Sequence, residues 1–147
     1  MKNINKYSVT LVREGTYEYF GTELNNSEKV ANITREILAN QPKEQFWIFL
    51  LDTKNRIIGM TMVSQGTLNS SLVHPREVYQ PAILSNASAI IAVHNHPSGD
   101  SFPSTEDLGV TSRLIKAGEI IGIRLLDHVI IGDDYTSIRE CHGELGW

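Results

Sequence analysis

One segment near the middle of the chain most constrains its fold: a short apolar run that ends in histidine, followed by a loop rich in proline and glycine. Residues 89–94 are apolar until the final histidine, which is typical of a short buried β-strand. The prolines and glycine over residues 94–103 indicate a loop. A helix is predicted over residues 104–117, with Gly118 as its C-terminal stop. The segment therefore predicts a strand, a loop and a helix, with polar side chains where they meet.

Two histidines and one aspartate in this segment have the spacing of a metal site. His94 and His96 are two residues apart, so in an extended stretch both imidazoles point to the same side. Asp107 lies one turn into the predicted helix, from which its carboxylate can reach the same point. Two nitrogen ligands and one oxygen ligand leave a fourth tetrahedral position open, as in catalytic zinc sites. Zinc in such a site acidifies a water molecule and polarises a carbonyl group, which favours hydrolysis.

A metal hydrolase also requires a proton-transfer group that is not a metal ligand. Glu44 is the candidate general base, because it immediately precedes the apolar run 46–51 and a carboxylate at a strand end can reach a cleft. Glu77 is the alternative base. Ser104 is the candidate donor of a hydrogen bond to the oxyanion. Ser104 and Asp107 also have the spacing of a helix capping box, which requires no metal.

Two further histidines can be interpreted as additional ligands or as structural residues. His74 precedes Pro75 and is typical of a residue that starts a helix. His128 lies in an apolar run and is typical of a core histidine whose ring nitrogens are hydrogen-bonded. The structural interpretation is favoured for both.

The combined spacing resembles the JAMM motif of the JAB/MPN metallopeptidases: a glutamate, a gap, His-x-His-Pro, six residues, and Ser-x-x-Asp. Pro97 is followed here by six residues and then by Ser104, so the spacing agrees throughout. Residues 74–77, 94–100 and 126–132 are closer still to the RadC branch of that family. The resemblance extends from Glu44 to the C-terminus.

The resemblance implies an α/β (α+β) fold of the cytidine-deaminase-like JAB/MPN type, with a curved mixed sheet, flanking helices and zinc at one end of the sheet. It implies His94, His96 and Asp107 as zinc ligands, Glu44 as the acid/base and Ser104 as the support of the oxyanion. The implied activity is that of a zinc metallopeptidase or isopeptidase, in which a zinc-activated water attacks an amide carbonyl of a peptide or protein. It implies no particular substrate-binding residues.

Two other functions stay open. The first is a non-catalytic, metal-stabilised scaffold for DNA-repair or mobile-element proteins. The second is a metal-dependent nuclease, although nucleases favour carboxylate-rich magnesium sites over a site with two histidines.

Length and composition indicate one globular domain over residues 1–147, without the N-terminal helix-hairpin-helix region of longer RadC-like proteins. Hydrophobic residues make up 41% and charged residues 20% of the 147. The single cysteine, Cys141, and the polar N-terminus favour the cytoplasm. A net charge of −4 does not support nucleic-acid binding, and no apolar run is long enough for a membrane span. The oligomeric state is left open.

The remaining elements follow from periodicity and turn residues. Residues 46–51 and 56–63 form a predicted hairpin around a turn at 52–55. Helices are predicted over 27–39, with Asn26 or Ser27 as the cap, and over 75–85. Further strands are predicted over 7–12, 66–73, 125–131 and 135–139.

Overall fold

The computed structural model describes residues 1–21, 23–38, 40–67 and 73–147. Within these ranges it has five β-strands and four α-helices. Along the chain these are α1 (Ser27–Leu38), β1 (Gln45–Leu51), β2 (Ile57–Gln65), α2 (Pro75–Leu84), β3 (Ala89–Asn95), α3 (Thr105–Ile121), β4 (Arg124–Ile131), β5 (Tyr135–Ser137) and α4 (Ile138–Cys141), followed by a 3₁₀ turn at Gly143–Leu145.

The strands form one sheet in the order β2-β1-β3-β4-β5. β1 pairs antiparallel with β2 and β3, β3 and β4 are parallel, and β5 is antiparallel to β4. A parallel pair cannot be joined by a tight turn, so the chain crosses between β3 and β4 through α3. The protein thus has the mixed sheet flanked by helices that the sequence predicted.

Helices cover both faces of the sheet, which explains why β3 is apolar along most of its length. All seven residues of β3 are buried. One face of the sheet packs against α2 and α3, and the other packs against α1. The first layer contains Phe46, Val78, Ile90 and Leu114, and the second contains Val30, Phe49, Ile91 and Val129. The histidines at the end of β3 therefore emerge from the centre of the core.

Several predicted elements are confirmed. These are the hairpin of β1 and β2, the helices α1 and α2, and the strands β3 and β4. The side chain of Asn26 accepts a hydrogen bond from the backbone N–H of Lys29 at 2.8 Å, so Asn26 caps α1. Ala39, at the end of the predicted first helix, lies outside the described residues, as do residues 68–72 of the strand predicted over 66–73.

The predicted end of α3 is wrong. The helix continues past Gly118 to Ile121 and ends at Gly122, whose left-handed φ of 84° and N–H bond to the Gly118 carbonyl form the C-terminal cap. Gly118 serves instead as a contact point, because a Cβ there would collide with the Tyr79 hydroxyl and the Ile123 carbonyl. The glycine marks close packing and not a helix end.

Two predicted strands also differ from the structure. Residues 7–12 alternate like a strand but lie exposed with no regular element, because a strand requires a paired neighbour for its backbone hydrogen bonds. The strand predicted over 135–139 ends at Ser137. There the Ser137 hydroxyl accepts a hydrogen bond from the N–H of Glu140 at 3.1 Å and starts α4.

Among the described helices, none has the length and apolar character needed to cross a membrane.

Candidate metal centre

The end of β3 and the first turn of α3 bring His94, His96 and Asp107 together, as the sequence predicted. The Nε2 atoms of the two histidines lie 2.9 Å apart. Nε2 of His94 is 3.2 Å from Oδ1 of Asp107, and Nε2 of His96 is 3.2 Å from Oδ2. His94 and Asp107 are almost fully buried, whereas His96 is partly exposed. The cluster thus sits at the surface end of a buried strand.

Hydrogen bonds on the far side of the rings direct the two Nε2 atoms inward. Nδ1 of His96 lies 2.7 Å from the backbone carbonyl of Asp100. A carbonyl can only accept, so Nδ1 carries the hydrogen and Nε2 of the neutral ring has a free lone pair. Nδ1 of His94 lies 2.7 Å from Nε2 of His128, which leaves Nε2 of His94 facing the same point. Two ring nitrogens and a carboxylate therefore converge.

This donor set fits a metal ion. Converging lone pairs repel one another unless a cation lies between them, and neutral imidazole nitrogens and a carboxylate are metal ligands. For ligands at about 2.0 Å from a tetrahedral zinc, neighbouring donor atoms stand about 3.3 Å apart. The separations of 2.9–3.2 Å approach that value. The three side chains can hold one metal ion.

The charge state of the cluster also suits a cation. Burial alone would raise the pKa of Asp107, but the adjacent imidazole groups of His94 and His96 hold that pKa well below its usual range. The pKa of His96 is raised, chiefly because the Asp107 carboxylate beside it favours the protonated ring, with burial opposing the shift. Asp107 is therefore ionised at neutral pH, as a metal ligand must be.

Ser104 and Asp107 form a complete capping box at the start of α3. The Ser104 hydroxyl accepts a hydrogen bond from the Asp107 N–H at 3.1 Å, and the Asp107 carboxylate accepts one from the Ser104 N–H at 2.7 Å. The capping and metal interpretations are thus compatible, because Asp107 uses Oδ2 for the cap and still directs Oδ1 at His94. Because the Ser104 oxygen accepts the bond from the Asp107 N–H, the hydroxyl hydrogen of Ser104 can still be donated to another group.

Glu44 lies at the same end of the sheet as the cluster. In the antiparallel register of β1 and β3, Phe46 stands opposite His94. If the same register is extended by two residues, just beyond the ends of both strands, Glu44 comes opposite His96. Side chains at this spacing lie on one face of the sheet. The negative charge of Glu44 contributes to the raised pKa of His96, which agrees with this placement.

The backbone on both sides of Glu44 is held by Asn95, the residue between the two histidines. Its side-chain oxygen accepts a hydrogen bond from the N–H of Gln45 at 2.7 Å, and its amide donates to the carbonyl of Lys43 at 3.1 Å. Asn95 itself is 4% exposed, and both bonds are partly buried. Nothing in the sequence around Asn95 indicates this role.

The alternative base, Glu77, and the possible additional ligand, His74, lie outside the cluster. Glu77 is exposed on α2, beside Thr61 of β2 and Gln80. His74 caps α2, since its Nδ1 accepts a hydrogen bond from the Arg76 N–H at 3.1 Å, as the sequence analysis favoured. The roles of Glu44 as base and of Ser104 at the oxyanion stay predictions.

The sequence predicted the burial of His128 but not its contact with a candidate metal ligand. It is a fully buried core histidine, as expected, but its partner is the ligand His94. Its other ring nitrogen lies 2.6 Å from the hydroxyl of Thr111 on α3. Burial lowers the pKa of His128 well below its usual value, so the ring is neutral. An isolated histidine in an apolar strand was the only available signal.

Comparisons with known proteins point to one family. A family model described as the RadC-like JAB domain matches residues 24–144, a range that contains every residue of the cluster. A UPF0758 protein of Desulforudis audaxviator is 51% identical over 113 residues, which are 76% of this chain and 49% of the relative. A UPF0758 protein of Geobacter sulfurreducens is 55% identical over 106 residues, 72% of this chain and 46% of that protein.

A third relative, a UPF0758 protein of Clostridium acetobutylicum, is 50% identical over 119 residues, 80% of this chain and 52% of its own length. The chain thus spans about half the length of the curated relatives it matches.

Proposed function

The chain belongs to the family of RadC-like JAB domains, and from this premise we propose that it is a zinc-dependent hydrolase of amide bonds in peptides or proteins. The observation that carries the proposal is the convergence of His94 Nε2, His96 Nε2 and a carboxylate oxygen of Asp107 on one point. Three protein ligands leave one coordination position for a reactant, as catalytic zinc sites do and closed structural sites do not.

The choice of zinc rests on the ligand atoms. Imidazole nitrogen suits zinc, copper, iron and nickel, whereas magnesium and calcium select oxygen ligands. A site with two histidines and one carboxylate, all three supplied by the end of β3 and the start of α3, matches the ligand types of known catalytic zinc sites. The same ligand set argues against a magnesium-dependent nuclease.

Bound zinc would supply a Lewis acid that acidifies water and polarises the amide carbonyl. Glu44, which precedes β1 at the end of the sheet where Phe46 pairs with His94, takes the proton from the attacking water and delivers it to the departing amine. Ser104 donates its hydroxyl hydrogen to the developing oxyanion. The two hydrogen bonds of Asn95 hold the Glu44 backbone in position relative to the histidines, so the base and the ligands keep a fixed arrangement.

The test is cleavage of a peptide mixture that includes lysine-branched isopeptides, with new termini identified by mass spectrometry. Zinc-loaded wild-type protein is expected to produce new amine termini that chelation abolishes. Glu44→Gln keeps the three ligands and the volume of the side chain but removes the base, so it is expected to bind zinc and cleave at least about 100-fold more slowly.

Asp107→Asn removes the ionised ligand and is expected to lose both zinc and cleavage. The proposal is overturned if the zinc-loaded wild-type protein releases no new termini. Equal cleavage by wild type and Glu44→Gln would overturn only the assignment of Glu44 as the base.

A further inference from the structure

A continuous chain of hydrogen bonds joins one candidate ligand to another through the interior of the protein. The Thr111 hydroxyl lies 2.6 Å from the backbone carbonyl of Asp107 and 2.6 Å from Nδ1 of His128. Nε2 of His128 lies 2.7 Å from Nδ1 of His94. The chain therefore begins at the backbone of Asp107 and ends at the ring of His94, whose other side faces the Asp107 carboxylate.

The direction of every hydrogen in this chain follows from its carbonyl end. The Thr111 hydroxyl has one hydrogen, and the Asp107 carbonyl can only accept, so that hydrogen is donated to the carbonyl. The Thr111 oxygen must then accept from Nδ1–H of His128. Full burial favours the neutral ring, so Nε2 of His128 has no hydrogen and accepts from Nδ1–H of His94. Nε2 of His94 is left with its lone pair.

We propose that His128 and Thr111 are positioning residues that fix His94 in its Nδ1–H tautomer and orient its ring, so that Nε2 is ready to bind metal before the metal arrives. This inference rests on the proposed metal site and goes beyond it, because it assigns roles to two residues that are not ligands. A histidine ligand whose second nitrogen is held by a hydrogen-bond partner is fixed in tautomer and orientation, and loss of that partner weakens metal binding.

The residues around this hydrogen-bond chain support a positioning role for His128 and Thr111. Thr111 and His128 are 0% exposed and His94 is 1% exposed. Phe46 packs its ring against both imidazoles, with ring centroids 6.1 Å from His94 and 5.3 Å from His128. Water is thereby kept from these bonds, and a single unpaired nitrogen or hydroxyl here would be costly.

The network also ties three elements of the fold together. Asp107 and Thr111 are one turn apart on α3, His128 lies on β4 and His94 lies on β3. The helix that supplies the carboxylate ligand thus also sets the orientation of the imidazole ligand across the sheet. The distance between the ligands and the orientation of one of them are fixed by the same turn of helix.

Zinc affinity of matched variants tests the proposal without any substrate. Thr111→Val keeps the shape of the side chain and removes the hydroxyl, whereas Thr111→Ser keeps the hydroxyl. We expect zinc to bind Thr111→Val and His128→Leu about 10- to 100-fold more weakly than wild type, as loss of such a partner typically does. Thr111→Ser is expected to bind within about threefold of wild type. Affinity is measured by competition with a chromophoric chelator.

A substitution in the core that does not touch this hydrogen-bond chain controls for general destabilisation. Tyr79→Phe removes a buried hydrogen bond of 2.7 Å to the Leu114 carbonyl and is expected to leave zinc affinity unchanged. Equal zinc affinity in wild type, Thr111→Val and His128→Leu would overturn the proposal, as would an equal loss in Tyr79→Phe.

The tautomers can be read directly in wild-type protein, which keeps the inference testable if a variant does not fold. Long-range ¹H–¹⁵N spectra of protein labelled with ¹⁵N-histidine, recorded without metal, are expected to show His94 and His128 as neutral Nδ1–H tautomers. An Nε2–H tautomer or a doubly protonated ring at either position contradicts the proposal. If the chain binds no zinc but shows these tautomers, the proposed function fails and the hydrogen-bond inference stands.

Discussion

The side-chain oxygen of Asn95 accepts a 2.7 Å hydrogen bond from the backbone N–H of Gln45, which joins the strand of the histidine ligands to the strand of the proposed base. The Asn95 amide donates to the Lys43 carbonyl, so both peptide neighbours of Glu44 are held by one residue. Because Asn95 lies between His94 and His96, the position of the base is fixed relative to the metal ligands.

Asn95→Ala is therefore expected to lower the rate of peptide cleavage without loss of zinc. A displacement of the base of about 1 Å can cost up to about 100-fold in rate. We expect kcat to fall by about 10- to 100-fold in the peptide assay, with zinc affinity and KM little changed. In the Glu44→Gln background the same substitution is expected to have no further effect. An additive loss in that background would show that Asn95 does not act through Glu44.

Two glycines of α3 are expected to respond to alanine in opposite directions. At Gly109 a Cβ meets no atom within 4 Å among the described residues, so Gly109→Ala is expected to stabilise the protein by about 0.5–1 kcal/mol. At Gly118 a Cβ collides with Tyr79 and Ile123, so Gly118→Ala is expected to cost about 1–3 kcal/mol. Urea unfolding of both variants measures these changes, and a stabilised Gly118→Ala would contradict the packing described.

Tyr79 is expected to make stability fall above pH 10. Burial raises the pKa of its hydroxyl, so the folded state keeps the proton that the unfolded chain loses near pH 10. The contribution is complete below pH 10 and decreases as the pH rises above it. At pH 8, Tyr79→Phe is expected to be about 1 kcal/mol less stable than wild type, because the hydrogen bond to Leu114 is lost.

At pH 11 that difference is expected to change by about 1.4 kcal/mol in favour of the variant, which has no phenol to titrate. Urea unfolding at both pH values measures it. A difference independent of pH would contradict the account of Tyr79.

Zinc is expected to stabilise the folded chain through the cluster alone. At a free zinc concentration about 100 times Kd, binding adds about 2.7 kcal/mol to the free energy of unfolding. The Tm of wild type is therefore expected to rise with zinc and to return to its original value with a chelator. The Tm of Asp107→Asn is expected not to respond, whereas that of Glu77→Gln, on the exposed face of α2, is expected to respond like wild type.

The sequence predicted the metal cluster because the three residues that form it lie close together along the chain. His94 and His96 share a strand face by period-two alternation, and Asp107 is fixed by the cap of α3. These arrangements depend on short-range rules that a sequence displays. The pairing of β1 with β3, which brings Glu44 to the cluster, required a resemblance to a known family, because nothing near Glu44 in sequence marks its partner strand.

The roles of His128 and Gly118 could not be predicted for the same physical reason. His128 acts through a contact with His94, 34 residues away, and through Thr111 on a different element. Glycine is typical of a helix end, but Gly118 is required inside α3 because Tyr79 of α2 packs too close for a Cβ. In both cases the deciding contact is tertiary. Asp127 is similar: its partly buried carboxylate accepts a hydrogen bond from the hydroxyl of Ser137, the last residue of β5, where the sequence predicted a longer strand.

The proposed function depends above all on His94, His96 and Asp107 holding one zinc ion in an open site. The most direct test is a crystal structure of the zinc-loaded protein with anomalous data collected at the zinc edge. We expect one anomalous peak at about 2.0–2.2 Å from Nε2 of His94, Nε2 of His96 and a carboxylate oxygen of Asp107, with the fourth position taken by solvent. A zinc peak elsewhere, or a fourth protein ligand that closes the site, would show that these residues do not form an open zinc site.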